Sequence, residues 1–244
     1  MTQDYMGTCM NTKWHRAQFW QLIEDQDIHK WTVGFEVGKK GKKHLQFRIR
    51  MTENDQTTAF AEIKQYLPDA WLAKCSDSWK YERKSGRFLS SEDTDGARSQ
   101  RFGKPKEWQV QCLELLKSQN DRQIDTYVNE GGNVGKSWLA SHLWETGKAH
   151  VVQAQNTAKG LIQDCASEFL ENGIRPILVI DIPRTWKWTD DIYVAIERIK
   201  DGLIKDTRYG SRTINIHGTK LLVFCNVAPD QKKLSDDRWR IFHV

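Results

Sequence analysis

The sequence predicts an α+β domain followed by an α/β domain, and three observations lead to this prediction. The first hundred residues alternate apolar and polar side chains in short segments between helical patterns, as half-buried strands do. A polar, glycine-bearing stretch from Ser90 to Lys106 is typical of a solvated linker. Beyond it, a strand pattern, a glycine-rich loop and a helical pattern follow one another. The predicted divisions are the first domain, a linker with a short helix, and the second domain, at 1–95, 96–120 and 121–244.

The composition is ordinary for a soluble globular protein. Of the 244 residues, 39% are hydrophobic and 28% are charged, and the length suffices for two cores. No segment approaches the roughly 18 apolar residues of a membrane-spanning helix, and the N-terminus lacks a signal-peptide core. The five cysteines are never spaced C-x-x-C, which argues against a disulfide framework or a zinc site. We therefore expect an intracellular protein with no membrane partner.

The charge balance suits a polyanionic partner. The formal net charge is +5, although many proteins with this balance bind no nucleic acid. Eleven tryptophans could offer faces for base stacking, but most large aromatic side chains fill cores.

The first domain is predicted to open with a strand over Tyr5–Met10 and a helix over Trp14–Glu24. A β-hairpin follows, because Trp31–Val37 and His44–Ile49 both alternate around a basic turn at Gly38–Lys43. A second helix is predicted from Thr58 to Leu67, where Pro68 ends it.

Pairing of the two hairpin strands would bring a carboxylate, an imidazole and an amide together. If the strands pair about Lys40, Glu36 lies across from His44, and Gly34 lies across from Gln46. Oxygen donors with some imidazole suit Mg²⁺ or Mn²⁺. The alternative is that His44 and Gln46 line the solvated face of a strand.

A tyrosine and a lysine form a further candidate group downstream. Ser76 or Asp77 could cap a helix in which Tyr81 and Lys84 share one face. A tyrosine nucleophile needs its phenol at a metal-polarised phosphodiester, and a nearby cation helps to stabilise phenolate or to position phosphate. An amphipathic helix with an exposed tyrosine is the alternative.

Taken together, Glu36, the HLQ string at 44–46 and the YERK string at 81–84 resemble the nicking domain of replication initiators of the HUH endonuclease superfamily, as found in small circular single-stranded DNA viruses. The resemblance implies a ferredoxin-like sheet. It also implies that Tyr81 is the nucleophile and Lys84 a supporting cation. The implied metal ligands are Glu36, His44 and Gln46. The family's first motif, a strand involved in DNA recognition, is placed loosely at Gly7–Asn11.

The glycine-rich loop of the second domain, EGGNVGKSW at 130–138, is suited to holding the phosphates of ATP. Backbone N–H groups would face the phosphates at a helix N-terminus, Lys136 would add a charge, and the Ser137 hydroxyl would coordinate Mg²⁺. The usual pattern has glycine where this chain has Glu130, so Gly131 and Gly132 must supply the flexibility. A chance glycine-rich turn before a helix is the alternative.

An apolar strand at Pro176–Asp181 ends in a carboxylate, the form expected of an element that holds Mg²⁺ through water. The predicted nucleotide-binding residues are therefore Gly131, Gly132, Asn133, Val134, Gly135, Lys136, Ser137 and Asp181.

The remaining elements follow from periodicity. A short helix is predicted at Glu107–Leu116. Thr189 can cap a helix whose stripe of apolar residues, Ile192, Ala195, Ile196, Ile199 and Leu203, faces the core. A basic loop at 205–212, which includes Tyr209, precedes strands at Thr213–Ile216 and Leu221–Asn226.

This order of elements, with VFCN, PD and LSDDRW near its end, resembles the superfamily 3 helicase domain of the same viral initiators, closest to smacovirus and nanovirus-like members. The resemblance implies an α/β P-loop fold of the AAA+-like type, a homo-oligomeric ring, expected to be hexameric, and an oligomerisation role for the short helix. It implies Asn226 as a polar sensor and Arg238 as a trans-acting finger that Asp236 and Asp237 orient, with Arg184 as the rival. Implied DNA contacts in a central channel are Lys205, Arg208 and Arg212.

The predicted function is that of a viral rolling-circle replication initiator. It would nick and rejoin single-stranded origin DNA through a covalent tyrosine intermediate and hydrolyse ATP as a helicase, in the nucleus if the host is a eukaryote. The alternative is a non-catalytic, nucleotide-regulated module that binds nucleic acid. A small-molecule kinase is a third class, but it leaves the first hundred residues without a use.

Overall fold

The structure, a computed structural model, describes residues 2–75, 78–208 and 210–244 and divides into two compact units. The first unit ends at Phe102 and the second begins at Gly103. No helix in the described ranges is long and apolar enough to cross a membrane. The candidate caps Ser76 and Asp77, and Tyr209 of the basic loop, lie outside the described residues.

The first unit is built on a five-stranded antiparallel sheet in the order β4-β1-β3-β2-β5. One sheet face packs against two helices, where Leu22 of α1 and Ile63 of α2 join Phe47 and Ile49 of β3 in a buried core. The elements are β1 Gln3–Met10, α1 Lys13–Asp25, β2 Trp31–Val37, β3 Lys43–Met51, α2 Gln56–Tyr66, β4 Trp71–Cys75, β5 Phe88–Ser90 and α3 Asp95–Phe102.

Two predictions for the first unit are wrong. Residues 90–106 are not simply a solvated linker, because β5 ends there and α3 follows. The side chain that secures α3 is Arg101, which is 4% exposed, forms an ion pair at 2.8 Å with Asp93 and donates to the Phe88 carbonyl. Tyr81 lies in a single 3₁₀ turn, Tyr81–Arg83, and not in an amphipathic α-helix.

The second unit contains a five-stranded parallel sheet in the order β12-β6-β11-β8-β7, with a separate β9–β10 pair. Its elements are α4 Glu107–Lys117, β6 Ile124–Val128, α5 Lys136–Glu145, β7 Ala149–Gln153, α6 Ala158–Asn172, β8 Ile177–Asp181, α7 Asp190–Asp201, β9 Leu203–Asp206, β10 Arg212–Asn215, β11 Lys220–Cys225 and β12 Trp239–His243.

Both faces of the parallel sheet are buried, as this kind of sheet requires. Val223 of β11 packs with α6 and α7 on one face, whereas Phe224 packs with α4 and α5 on the other. The carboxyl ends of β6, β8 and β11 meet at one sheet edge, since Cys225 pairs with Val128 and Phe224 pairs with Asp181.

The Thr189 cap is confirmed, because its hydroxyl accepts from the Ile192 N–H. The apolar stripe, however, ends before Leu203. Gly202 adopts a left-handed conformation (φ +92°) that terminates α7, so Leu203 begins β9 and is 68% exposed.

Candidate functional sites

The hairpin register in the first unit is confirmed. Glu36 pairs with His44 and Gly34 with Gln46, so the three predicted ligands lie on one patch of the sheet. His44 Nε2 is 3.3 Å from Glu36 Oε2. Glu36 is 8% exposed and Gln46 4% exposed. The alternative of a solvated strand face, stated for His44 and Gln46, is therefore wrong for Gln46, whereas the His44 side chain is 25% exposed.

This patch retains unused polar atoms. The Thr8 hydroxyl donates to Gln46 Oε1 at 2.6 Å, while Glu36 Oε1 and Gln46 Nε2 are buried without a hydrogen-bond partner. Buried polar atoms normally have partners. Amide oxygen and nitrogen are assigned from their contacts, so the Gln46 amide can also be placed the other way round. Its Nε2 would then donate to the Thr8 hydroxyl, and its Oε1 would take the position that now has no partner. A hard divalent cation would fit a carboxylate, an imidazole and an amide oxygen.

Within the described ranges, no group of three or more histidine, cysteine, aspartate or glutamate side chains could hold a metal ion. The patch has two such side chains, Glu36 and His44, and an amide as its third member.

The Tyr81 turn lies directly against β2. A Cβ on Gly34 would meet the Glu82 carbonyl oxygen at 2.2 Å, so the absence of a side chain at Gly34 permits this contact. The Glu82 side chain is fully buried and lies 3.2 Å from Arg48 of β3. The turn is therefore fixed from below by a buried ion pair, while Tyr81 itself is 49% exposed.

Lys84 connects the tyrosine to the patch of Glu36, His44 and Gln46. Its Nζ is 3.2 Å from Glu36 Oε2 and 3.6 Å from the centroid of the Tyr81 ring. Burial by itself lowers the pKa of Lys84, but its hydrogen bonds to Tyr81 and Glu36 prevail and raise that pKa above the ordinary value. The ammonium therefore stays charged beside the phenol.

In the second unit, the loop after β6 adopts the conformation that its glycines allow. Gly132, Asn133 and Gly135 have φ values of +77°, +60° and +100°. Neither Glu130 nor Gly131 is among the described residues with positive φ, so position 130 does not require glycine. Of Gly131 and Gly132, which were both expected to supply conformational freedom, only Gly132 adopts a positive φ.

Lys136 is buried at the edge where β6 and β11 end. Its Nζ donates to the Cys225 carbonyl at 2.6 Å and to the Asn129 carbonyl at 3.3 Å. Burial lowers the pKa of Lys136. Burial raises the pKa of Asp181 at the end of β8, and the charge of Lys136 opposes that rise.

A pocket of about 430 Å³ opens at this edge, within the size range of small-molecule sites. Two polar side chains flank the loop: Arg184 Nη2 donates to the Gly131 carbonyl at 2.9 Å, and Asn226 Nδ2 donates to the Asn129 carbonyl at 2.6 Å. The lining residues are Gly132, Asn133, Val134, Gly135, Lys136, Ser137, Trp138, Arg184 and Asn226.

Arg238 is not among these residues. It is 4% exposed and its Nη2 lies 2.9 Å from Asp201 and 3.4 Å from Glu197, both on α7. The predicted orientation by Asp236 and Asp237 is wrong, since Asp237 instead pairs with Arg122. Its guanidinium is thus buried against α7 and does not line the pocket.

The predicted DNA contacts lie on the β9–β10 pair and the loop that joins its strands. Lys205 and Arg212 are exposed. Arg208 is bound to Asp164 at 3.0 Å and to Asp206 at 3.1 Å, so its charge is largely neutralised within the chain.

Several residues that shape these sites were not predicted from the sequence. Arg48 carried a signal, because it follows Gln46 on the same strand face and Glu82 lies inside the YERK string. Thr8 lies in the Gly7–Asn11 stretch, but its contact with Gln46 depends on tertiary structure, as do the contacts made by the start of α4. The unpredicted residues are Thr8, Gly34, Arg48, Glu82, Lys106, Trp108 and Gln109.

Several known proteins that are similar in sequence to this chain are named as replication proteins. The chain is 25% identical over 236 residues to Para-Rep C6 of Subterranean clover stunt C6 alphasatellite, which covers 93% of this chain and 72% of that protein. It is 28% identical over 231 residues to the Master replication protein of Milk vetch dwarf virus (isolate N), covering 95% and 68% respectively. Para-Rep C7 of Faba bean necrotic yellows C7 alphasatellite is 30% identical over 147 residues, 56% of this chain and 47% of that protein.

No family model matches the chain. A formyltetrahydrofolate deformylase from Pseudomonas putida covers 95% of the chain at a TM-score of 0.23 and 8% identity, too slight a likeness to bear on the fold.

Proposed function

Because this chain belongs to the replication (Rep) proteins of circular single-stranded DNA viruses and alphasatellites, we propose that it initiates rolling-circle replication by nicking and rejoining one strand of origin DNA. We also propose that its second unit hydrolyses ATP to drive a helicase. The antiparallel sheet of the first unit and the parallel sheet of the second support a ferredoxin-like endonuclease domain and an AAA+-like P-loop domain. Nuclear action follows if the host is a eukaryote.

The contact of Lys84 with both Tyr81 and Glu36 carries the nicking proposal. The exposed Tyr81 phenol gives up its proton to solvent and its oxygen attacks a backbone phosphorus, the P–O bond to the departing strand breaks, and the departing oxygen takes a proton from solvent. The new phosphotyrosine bond keeps the strand attached, so reversal of the same step rejoins it. Lys84 holds a positive charge beside the phenol and the developing phosphate charge.

Glu36, His44 and Gln46 would hold a Mg²⁺ or Mn²⁺ ion, which supplies Lewis-acid polarisation of a phosphodiester oxygen. Thr8 orients the Gln46 amide through its hydroxyl. Arg48 and Glu82 keep the Tyr81 turn on the sheet. Each of these residues acts by placing a group that would contact the DNA or the ion.

The edge formed by β6, β8 and β11 supports the ATPase proposal, since ligands of open α/β sheets bind beyond the carboxyl ends of the strands. Lys136 would exchange its carbonyl partners for phosphate oxygens, and Ser137 and Asp181 would hold Mg²⁺. Asn226 is the proposed polar sensor. Arg184 is favoured over Arg238 as the arginine at the phosphates, because it already contacts the loop.

The ring assembly and the DNA channel belong to the same proposal. A hexamer would use α4 for assembly, and Lys205 and Arg212 would be free to meet phosphates. Arg208 contributes less because Asp164 and Asp206 pair with it.

Cleavage of single-stranded DNA tests this function. Wild-type protein and Tyr81→Phe are incubated with random-sequence oligonucleotides and Mn²⁺, and ATP hydrolysis is measured in parallel with Lys136→Ala. We expect Tyr81→Phe to lose cleavage and keep ATP hydrolysis, and Lys136→Ala to do the reverse. Nucleotide-dependent DNA binding without cleavage by wild-type protein would instead favour the non-catalytic module.

A further inference from the structure

The start of α4 grips the loop that lines the nucleotide pocket. Lys106 Nζ and Trp108 Nε1 both donate to the Val134 carbonyl, at 3.2 and 3.1 Å. Gln109 Nε2 donates to the Gly135 carbonyl at 2.8 Å. We propose that Lys106, Trp108 and Gln109 are positioning residues that hold this loop ready for nucleotide phosphates. The proposal rests on the nucleotide site put forward above.

The geometry of the peptide group gives these contacts a consequence. In a planar trans peptide the C=O and N–H groups point in opposite directions. The Val134 and Gly135 carbonyls point toward α4, so the N–H groups of Gly135 and Lys136 point away from α4. Those two residues line the pocket, and N–H groups at a helix N-terminus are suited to binding anions. The Gly135 carbonyl also accepts from the Leu139 N–H at 3.0 Å, the first hydrogen bond of α5. Lys106 and Trp108 thus fix the direction of the Gly135 N–H, and Gln109 adds a second donor to the carbonyl that sets the direction of the Lys136 N–H.

Gln109 performs two tasks with one amide. Its Oε1 accepts from the Lys106 N–H at 2.7 Å, which caps α4, while its Nε2 faces Gly135. A reversed amide would set donor against donor at Lys106, so the assignment is fixed by the contacts. Gln109 is fully buried, and a Cβ on Gly135 would lie 3.0 Å from its Nε2. The loop glycine and the helix glutamine are therefore fitted to each other.

The contacts of Lys106, Trp108 and Gln109 with the loop lie close to the start of the second unit. The second unit begins at Gly103, and the grip begins at Lys106. The segment that leads out of the first unit therefore runs directly into the support of the nucleotide loop.

Nucleotide titrations of matched variants test the proposal. Trp108→Phe keeps an aromatic ring and removes one donor, and Lys106→Met with Trp108→Phe removes both donors to Val134. Trp144→Phe, at a 49% exposed tryptophan of α5, is the matched control. Binding of fluorescent ADP with Mg²⁺, the kcat and KM of ATP hydrolysis, and the melting temperature without nucleotide are measured for each.

We expect the Kd for ADP to rise about fivefold in Trp108→Phe and about 30-fold in the double variant, at unchanged stoichiometry, since each hydrogen bond contributes modestly. KM should rise with it and kcat should change less than twofold, because phosphate binding is lost equally in ground and transition states. A wild-type Kd in the variants, or a reduced stoichiometry at wild-type Kd, would overturn the proposed positioning role of Lys106, Trp108 and Gln109 and leave the ATPase proposal standing. A wild-type chain that binds no ADP would remove both.

Discussion

A Cβ on Gly34 would lie 2.2 Å from the carbonyl oxygen of Glu82. The Tyr81 turn therefore depends on a glycine in the neighbouring strand. Gly34→Ala should displace the turn and lower the nicking rate at least 10-fold, since small misplacements of reacting groups cost this much or more. ATP hydrolysis should stay at the wild-type rate. Gly96→Ala is the matched control, because the nearest atom there is 3.7 Å away. Wild-type nicking by Gly34→Ala would show that the turn position is unimportant.

The hydroxyl of Thr8 should tune metal affinity through Gln46. Thr8→Val keeps the shape and removes the 2.6 Å hydrogen bond, so the amide loses its orientation. Loss of such an outer partner typically weakens a metal site about 10-fold or more. Electron paramagnetic resonance titration with Mn²⁺, without DNA, measures this directly. Thr57→Val on the exposed surface of α2 serves as the control, and equal Mn²⁺ affinity in both variants would contradict the assignment.

Arg238 should act in stability and not as a trans-acting finger. Arg238→Ala removes the partner of Asp201 and Glu197, which are about half exposed, so we expect a loss of roughly 1–3 kcal/mol in the free energy of unfolding. Arg198→Ala, at an exposed arginine of the same helix, should cost less than about 0.5 kcal/mol. Denaturant titration measures both.

The same variant gives a second test. Mixtures of Arg238→Ala with Lys136→Ala should not recover ATP hydrolysis beyond the sum of their separate rates. Recovery in mixtures that co-assemble by light scattering would restore the trans-acting role to Arg238.

Lys200 should give the second unit a pH-dependent stability. Its Nζ is buried against Gln119 and Thr219, and burial, with Lys220 nearby, lowers its pKa from 10.5 to about 8. Below pH 8 Lys200 is charged in both the folded and the unfolded chain, so the full cost of burying its charge lowers the free energy of unfolding. Between pH 8 and 10.5 the unfolded chain binds more protons, so stability rises with pH.

Comparison with Lys200→Met isolates this effect. From pH 7.5 to 9.5, wild type should gain about 2 kcal/mol relative to that variant in urea titrations. A constant difference across this range would mean that Lys200 titrates with its ordinary pKa.

The helices and strands of this protein are predictable from the sequence where the periodicity of apolar residues and the positions of turn-forming residues indicate the same boundaries. Alternation and the basic turn set the register of Glu36 and His44, and the loop string located the pocket around Lys136. The helix α3 was not predicted, because one buried ion pair, Arg101–Asp93, secures it in place of an apolar stripe.

Which arginine lies by the glycine-rich loop at 130–138 could not be predicted from the sequence either. Arg184 and Arg238 both follow strand-like segments, and only tertiary structure sends one to Gly131 and the other to α7. The strings identify candidate chemistry, whereas the contacts between distant segments decide which residues take part.

The most direct test of the account is the site of covalent attachment to DNA. Wild-type protein is incubated with Mn²⁺ and single-stranded oligonucleotides, the complex is digested, and the modified peptide is sequenced by mass spectrometry. We expect a phosphodiester adduct on Tyr81, absent in Tyr81→Phe and unaffected by Lys136→Ala. An adduct on any other residue, or cleavage retained by Tyr81→Phe, would contradict it.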